Sequence, residues 1–167
     1  MTVLSTSIRS RPSNPLDLVE DLFVHHDWLF KRANREELSA DVPGRWCDLN
    51  LYFAWRREAD ALHFSCAMDL RVPTLKRRPI AELLTSANER LWLGHFDMWS
   101  EDGLPMFRHT LPLRGMHGAS AEQIEDLMET GLIECDRFYP ALQFVLWGNK
   151  EPSEALQLAL LDTIGEA

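Results

Sequence analysis

The spacing of apolar residues predicts a helix near the N-terminus. Asn14 suits the N-cap position, and Pro15 suits the first helical position because its φ is preset. Asp17 favours the positive end of the helix dipole. The apolar stripe that follows at helical spacing consists of Leu18, Val19, Leu22, Phe23 and His26. The pattern predicts an amphipathic helix that begins at Asn14 and ends near Asp27.

Alternation between apolar and polar residues then predicts strands. The segment CDLNLYFAW, residues 47–55, and the segment ALHFSCAMDL, residues 61–70, both show the period of two that a half-buried strand requires. They predict an antiparallel hairpin with one face in water. Two shorter apolar stretches precede them, WLFKRA and ELSADV, and these are weaker strand candidates.

The polar residues of this hairpin favour one register over another. Pairing Phe53 with Phe64 brings two carboxylates opposite each other. They belong to Asp48 and Asp69, and their repulsion disfavours this register. A shift by two residues keeps every apolar side chain inward and sets Asp48 opposite Arg71. We therefore predict the shifted register.

Helical spacing returns in the middle and at the end of the chain. Residues 74–92 carry an apolar stripe, and Pro79 fits only in the first turn of a helix. Ser120 and Gln123 form a capping box that predicts the start of a long helix. The apolar stripe of a last helix consists of Leu156, Ala159, Leu160 and Ile164.

The segment GHFDMWSEDGLPMFRHTL, residues 94–111, predicts a second hairpin. Asp102 and Gly103 form a two-residue turn signal, because both central positions of the favoured turn need a positive φ. Closing the turn there sets Asp97 opposite Arg108. One face of the hairpin then carries His95, Asp97, Trp99, Arg108 and Thr110. The other face carries Phe96, Met98, Phe107, His109 and Leu111.

Length and composition limit the class of protein. With 167 residues the chain has the length of one domain, and its elements predict an α+β fold with an antiparallel β-sheet packed against helices. The polar residues 1–13 predict a disordered leader before a single domain at 14–167. The 26 acidic and 17 basic residues give a net charge of -9, which opposes nucleic acid or an anionic membrane as partner. Because no signal peptide and no run of about 18 apolar residues is present, we expect a cytoplasmic protein.

The patterns that would indicate catalysis, a metal or a cofactor are missing from the sequence. Cys47, Cys66 and Cys135 are an odd number and include no C-x-x-C pair. His95 and His109 are predicted on opposite faces of the hairpin, where they cannot share a metal ion. The chain contains neither a nucleophile elbow nor a phosphate-binding glycine motif. We therefore expect no metal, no cofactor and no enzymatic activity.

The hairpin face that carries His95, Asp97, Trp99 and Arg108 is the best candidate binding site. Asp97 and Arg108 are expected to form a cross-strand ion pair rather than a catalytic pair. Amphipathic rings on a polar face are common at protein interfaces, so an exposed Trp99 would favour binding of another polypeptide. A helix that covered this face would instead bury Trp99 in an ordinary core. The pattern leaves these two alternatives open.

A basic cluster precedes the middle helix. Its members are Arg71, Lys76, Arg77 and Arg78. Such a cluster could dock a phosphate or an acidic partner. In an acidic chain it is more often a solvated helix start, and we favour that interpretation.

Five segments of the chain carry a family resemblance. They are NPLDLVEDL, GRWCDLNLYFAWR, NERLWLGHFDMWSEDGLPMFRHTLPLRG, ECDRFYPALQFVLWG and the terminal GEA. Together they resemble the YbjN-domain family of bacterial proteins, labelled sensory transduction regulators, over residues 14–167. The resemblance implies an α+β fold similar to the chaperones of type III secretion, which bind another polypeptide and commonly form dimers. It carries over no catalytic residue.

The sequence leaves three hypotheses for function. We favour a non-enzymatic, cytoplasmic regulatory protein that binds another polypeptide and forms a homodimer. A rival hypothesis is a small-molecule or metabolite binder that uses the face of His95, Asp97 and Arg108. An unrecognised hydrolase is the weakest hypothesis. For the dimer, the last helix and the long helix that bears Met128 and Leu132 are alternative interfaces, unless both only cover their own sheet.

Overall fold

The structure, a computed structural model, describes residues 13–164, with side chains described for residues 13–161. The predicted disordered leader therefore lies outside the described residues, except for Ser13. The backbone N–H of Ser13 donates to the carbonyl oxygen of His117 at 2.9 Å. This bond holds the start of the first helix beside the loop that precedes the long helix.

Helices and strands appear in the order that the sequence predicts. They are α1 (Pro15–His25), β1 (Phe30–Arg32), β2 (Glu37–Pro43), β3 (Asp48–Arg56), β4 (Ala61–Met68), α2 (Arg77–Asn88), β5 (His95–Met98), β6 (Pro105–Pro112), α3 (Ala121–Leu146) and α4 (Pro152–Ile164). A short 3₁₀ helix, Thr74–Lys76, precedes α2. The two weaker strand candidates are confirmed as β1 and β2.

The six strands form one antiparallel sheet in the order β1-β2-β3-β4-β6-β5. Helices α1, α2 and α3 contact the strands, and α4 packs against α3 and α2 as a further layer. The predicted α+β fold, with an antiparallel sheet packed against helices, is confirmed.

Local sequence signals place the helix starts. The side chain of Asn14 accepts a hydrogen bond from the N–H of Leu16 at 3.0 Å, and Pro15 is the first helical residue. The Ser120 hydroxyl accepts from the N–H of Gln123 at 3.1 Å, while the Gln123 side chain accepts from the N–H of Ser120 at 2.9 Å. Both predicted caps are confirmed, because each satisfies N–H groups that the first helical turn leaves without a partner.

The predicted register of the first hairpin is wrong. Phe53 pairs with Phe64, and their ring centroids lie 4.8 Å apart in the core. Asp48 and Asp69 do lie beside each other, but both are exposed to water. Water and salt screen their repulsion, whereas the aromatic pair gains from full burial. The apolar contact therefore decides the register.

The predicted register of the second hairpin is also wrong, by two residues. Arg108 pairs with His95, whereas the two-residue turn predicted that it would pair with Asp97. The connection is a four-residue loop, residues 100–103, in which Gly103 has φ +67° and Asp102 does not adopt a positive φ. Arg71 forms an ion pair with Asp102 at 2.9 Å, and this contact with the segment before α2 holds the longer loop.

All core-facing contacts of the helices are made on one face of the sheet. Phe23 of α1 lies edge-on to Phe53, with 6.0 Å between ring centroids, and Phe138 of α3 meets Phe96 at 5.4 Å. The helix α3 comes very close to the strands at Gly131, because a Cβ atom there would lie 2.7 Å from the ring of Phe64. Among the described elements, none of the helices covers the opposite face, which we call the open face.

Pro140 lies inside α3 and creates an attachment point for the turn between β2 and β3. Proline has no N–H, so the carbonyl of Asp136, four residues earlier, lacks its helical donor. The indole N–H of Trp46 donates to that carbonyl at 3.0 Å, and the backbone N–H of Arg45 donates to the Asp136 carboxylate at 2.9 Å. The missing helical bond is thus replaced by a contact between two distant parts of the chain.

The helix α4 uses its predicted apolar stripe within its own chain. Leu156 and Ala159 are buried, and α4 packs against α3 and α2. The side chain of Ile164 lies outside the described residues. Because Leu156 and Ala159 are already covered, they do not provide a free surface for a dimer.

Candidate functional site

The four predicted site residues come together on the open face. The guanidinium of Arg108 lies 2.7 Å from the carboxylate of Asp97, and its central carbon lies 5.8 Å from the ring centroid of Trp99. His95 is the cross-strand neighbour of Arg108. Because the register error equals two residues, all four still share one face. The Trp99 side chain is 55% exposed, so the alternative in which a helix buries it is wrong.

Asp97 and Arg108 neutralise each other. Partial burial raises the pKa of Asp97, but hydrogen bonds from the Met98 N–H and the Arg108 guanidinium outweigh burial, so the pKa lies below its ordinary value. The carboxylate is therefore ionised at neutral pH and engaged twice. Such a group is a poor general base. The predicted cross-strand ion pair is therefore formed, but between diagonal neighbours, since Arg108 lies directly opposite His95.

The histidines near this face are not arranged as metal ligands. His63 shares a hydrogen bond with the Thr110 hydroxyl at 3.0 Å, and burial, followed by the positive charge of Arg108, lowers its pKa. His109 faces the core, and burial lowers its pKa as well. Across residues 13–161, no group of three His, Cys, Asp or Glu side chains is placed to hold a metal ion.

Other polar side chains of the open face also bind each other. The Tyr52 hydroxyl donates to Glu37 at 2.9 Å, and the Asn50 amide donates to Asp41 at 2.7 Å. A shallow depression of about 420 Å³ lies at one end of this face and is lined by Asp41, Asp48, Leu49, Asn50, Ala67, Met68, Asp69 and Leu104. None of the four predicted site residues lines it.

The free edge of β5 is closed by Asn88 of α2. The Asn88 amide donates to the carbonyl of Phe96 at 3.0 Å, and its oxygen accepts from the N–H of Phe96 at 2.6 Å. The next outward N–H, that of Met98, donates to the carboxylate of Asp97 at 2.8 Å. These contacts occupy the groups that a partner strand would need, so strand addition at this edge is blocked.

The basic cluster before α2 is engaged within the chain. Arg71 and Arg78 form ion pairs with Asp102 at 2.9 Å and with Glu82 at 3.4 Å. Lys76 donates to the side chain of Asn149 at 2.7 Å and to the carbonyl of Val145 at 3.2 Å, and Arg77 binds carbonyls of the loop between β5 and β6. This arrangement agrees with a helix start rather than a phosphate site.

A groove that the sequence did not predict lies between α3 and the turn that follows α1. Its volume is about 430 Å³. We call it the α1–α3 groove; its lining residues are His26, Trp28, Glu125, Met128, Glu129, Leu132 and Ile133. Met128 is buried at its floor, while the Ile133 side chain is 54% exposed at its edge.

The wall formed by Trp28 depends on an unusual backbone conformation. Asp27 has φ +57° and reverses the chain after α1, so that the N–H of Trp28 donates to the carbonyl of Phe23 at 2.9 Å. The Trp28 ring stacks on His26, with 4.6 Å between centroids. The sequence signal for the α3 side was the apolar stripe through Met128, and the end of the helix was predicted near Asp27, but the sequence does not show that the two sides meet.

The lengths and apolar content of the helices show whether any of them could cross a membrane. Among the described helices, α3 alone, with 26 residues, reaches the length of a span, and charged residues recur along it. Within residues 13–164, no helix combines the length and the apolar character needed to cross a bilayer.

Comparison with known proteins gives a family and a fold. The model of the YbjN family, described as "Putative bacterial sensory transduction regulator", matches residues 15–144. A crystal structure of YbjN from E. coli, described as "a putative transcription regulator", is similar over 76% of this chain and 88% of that chain, with a TM-score of 0.53 and 14% sequence identity. At this identity the likeness concerns the fold alone.

No curated protein matches the chain. The similarity to type III secretion chaperones that the sequence implied is not addressed by these comparisons and stays a prediction. The family model, by contrast, covers most of the sequence, including α1, the whole sheet and nearly all of α3. The chain therefore belongs to the YbjN family.

Proposed function

We propose that this protein is a non-enzymatic, cytoplasmic regulatory protein that acts by binding another polypeptide, in the manner of a chaperone. The observation that carries the proposal is the α1–α3 groove, which combines an apolar floor with an exposed apolar edge at Ile133. Apolar side chains left open beside a groove are typical of interaction sites. The family description as a sensory transduction regulator supports the same class of function.

The polar groups of the open face also support the proposal, because they bind each other. Asp97, Arg108, His63, Asn50 and Tyr52 each have a partner within the sheet. These hydrogen bonds join the groups into a network within the sheet, which is the arrangement expected of cross-strand pairs that stabilise a sheet. The apolar edge of the groove, in contrast, is left exposed to water at Ile133.

Capture from a native cell extract tests the proposal when it is combined with groove variants. The full chain carrying Ile133→Asp places a charge at the apolar edge of the groove and should lose captured polypeptides that the unaltered chain retains. Leu75→Asp is the matched control, because Leu75 is an aliphatic residue of the short 3₁₀ helix that is 93% exposed and lies outside the groove. Equal capture by both variants, read by quantitative mass spectrometry, would contradict the proposal.

The proposal includes a homodimer. The covered stripe of α4 excludes Leu156 and Ala159 as its interface, but the outer side of α4 still exposes Leu161. A two-fold contact between such faces is self-complementary. Light scattering coupled to size exclusion should give twice the chain mass of 19.3 kDa, and the mass of one chain at micromolar concentration would refute the dimer.

A second candidate function is the binding of a small metabolite on the open face. The observation that favours it is the exposed ring of Trp99 under the guanidinium of Arg108, beside His95. A thermal-shift screen of carboxylate and phosphate metabolites tests it. Stabilisation should disappear in Arg108→Gln and persist in Arg78→Gln, a solvent-exposed arginine of α2 that also has an acidic partner. If none of the compounds stabilises the protein, this candidate is removed.

A further inference from the structure

We propose that the α1–α3 groove binds a helical segment of a partner protein whose apolar anchor residues are flanked by Lys or Arg. This inference rests on the proposed function and names the chemistry of the partner. Three features of the groove carry it: its apolar floor, the charge of its rim, and the direction in which its residues run.

The apolar lining of the groove favours apolar side chains over water as its occupant. Met128 is 2% exposed and Leu132 is half-buried, and Trp28 closes the opposite wall. Apolar surface in a concave site releases water when a partner covers it, which is the main favourable contribution to association. A volume of about 430 Å³ holds anchor side chains, while the backbone of the partner stays outside.

The rim of the groove is acidic and has no basic partner among the residues that the structure describes. Glu125 and Glu129 lie one helical turn apart on α3, and both are exposed. Neither carboxylate forms an ion pair or a side-chain hydrogen bond with any residue of the described part, unlike Glu20 and Glu134, which pair with Arg32 and Arg137. Unpaired carboxylates around an apolar floor are complementary to a partner with Lys or Arg beside its anchors.

The direction of the groove suits a helix better than a strand. The lining residues of α3 span 125 to 133, which is about 12 Å of helix. A partner helix places anchors at i, i+4 and i+7 over about 10 Å, so its stripe matches this length. A strand would need a row of unpaired backbone groups along the groove, whereas the backbone groups of the α3 wall are used within the helix.

A designed peptide provides the probe. It has about 14 residues, Leu at helical a and d positions, and Lys at the remaining positions; a second peptide carries Glu in place of every Lys. Fluorescence anisotropy of the labelled peptide with the full chain, at about 0.15 M salt, measures Kd. The Lys peptide should bind, and the Glu peptide should bind at least about tenfold more weakly.

Charge-matched variants separate the groove from the overall charge of the protein. Glu125→Gln with Glu129→Gln should weaken binding of the Lys peptide about fivefold. Glu58→Gln with Glu89→Gln changes the net charge equally at exposed positions outside the groove and should leave Kd within about twofold. Equal weakening by both pairs would overturn the inference, because the protein would then act only as a polyanion.

The remaining outcomes identify a different occupant or a different chemistry. Much tighter peptide binding after removal of residues 1–12 would overturn the inference in favour of the chain's own N-terminal segment. A dimer that Ile133→Asp converts to a monomer would assign the groove to a second copy. If capture from extract depends on Ile133 while the Lys and Glu peptides bind alike, the partner chemistry is wrong and the proposed function stands. If neither capture nor peptide binding depends on Ile133, both fail.

Discussion

The helix α3 lies very close to the sheet at Gly131, and the replacement of this glycine by alanine tests how tightly the two layers fit. A Cβ atom at this position would lie 2.7 and 2.9 Å from two ring carbons of Phe64 and 3.2 Å from the Cβ of Cys66. Favourable contacts between carbon atoms are about 3.5 to 4.0 Å, so the ring would have to move by close to 1 Å. Phe64 has little freedom to do so, because it packs against the ring of Phe53 at 4.8 Å and that of Phe107 at 6.3 Å.

Two effects of Gly131→Ala oppose each other. Alanine is favoured over glycine inside a helix by about 1 kcal/mol. Overpacking of a filled core costs about 1 to 3 kcal/mol, and an overlap with an immobile ring belongs at the upper end of that range. We expect a net loss of about 2 kcal/mol in the free energy of unfolding, and a fall in Tm of about 4 to 8 °C for a chain of this size.

Urea unfolding followed by circular dichroism measures the effect, and a double-mutant cycle assigns it. Phe64→Leu removes the ring that the new methyl group would meet. If the reasoning holds, Gly131→Ala is less costly in the Phe64→Leu background by at least about 1 kcal/mol. A stabilisation of about 1 kcal/mol by Gly131→Ala alone, as for an unhindered helical glycine, would refute the close fit.

Three further predictions concern the caps, the sheet edge and pH. Ser120→Ala should lower the free energy of unfolding by about 1 kcal/mol in urea, and an unchanged midpoint would show that the capping box contributes little. Asn88→Ala leaves both backbone groups of Phe96 without partners, so we expect the free energy of unfolding to fall by about 1 to 3 kcal/mol and light scattering to show concentration-dependent association. Asn88→Asp can still accept from the Phe96 N–H, so it should associate less than Asn88→Ala but more than the unaltered chain. Because burial and then nearby positive charges lower the pKa of His63, its contribution to stability is complete above pH 6.5 or so and is lost as pH falls toward its folded pKa. Calorimetry between about pH 8 and pH 5 should therefore show a shallower decline for His63→Asn, and parallel profiles would contradict this.

The features that local chemistry determines were predictable from the sequence. Asn14 and Ser120 begin helices because their side chains accept from N–H groups two or three residues away. Neither bond needs a distant partner. The alternation over residues 47–55 likewise follows from the geometry of a strand with one buried face.

The α1–α3 groove could not be predicted, because its two walls meet through contacts between distant residues. The sequence predicts that the helix ends near Asp27, and Asp is among the non-glycine residues that most often adopt a positive φ, but it does not show that the reversal there brings Trp28 to α3. The stacking of Trp28 on His26 depends on that reversal. The acidic pair Glu125 and Glu129 is visible in the sequence, but only the structure shows that it borders an apolar floor.

The two register errors have related causes, and together they explain why the candidate face was found while its pairings were not. Side chains in a strand alternate with period two, so an error of two residues changes every cross-strand partner and no face. The face therefore follows from the apolar pattern, whereas the partner follows from the turn and from core packing. At residues 100–103 the loop is held by contacts from Arg71, the Val72 N–H and Arg77, which lie more than twenty residues earlier and give no local signal. Residues such as Asp97 and Arg108 can thus be assigned to a common surface from sequence alone, while the ion pair between them is diagonal rather than direct. Knowing which face a residue lies on is enough to predict a site that needs only a shared surface. It is not enough to predict a catalytic site, because catalysis depends on which side chains are direct neighbours.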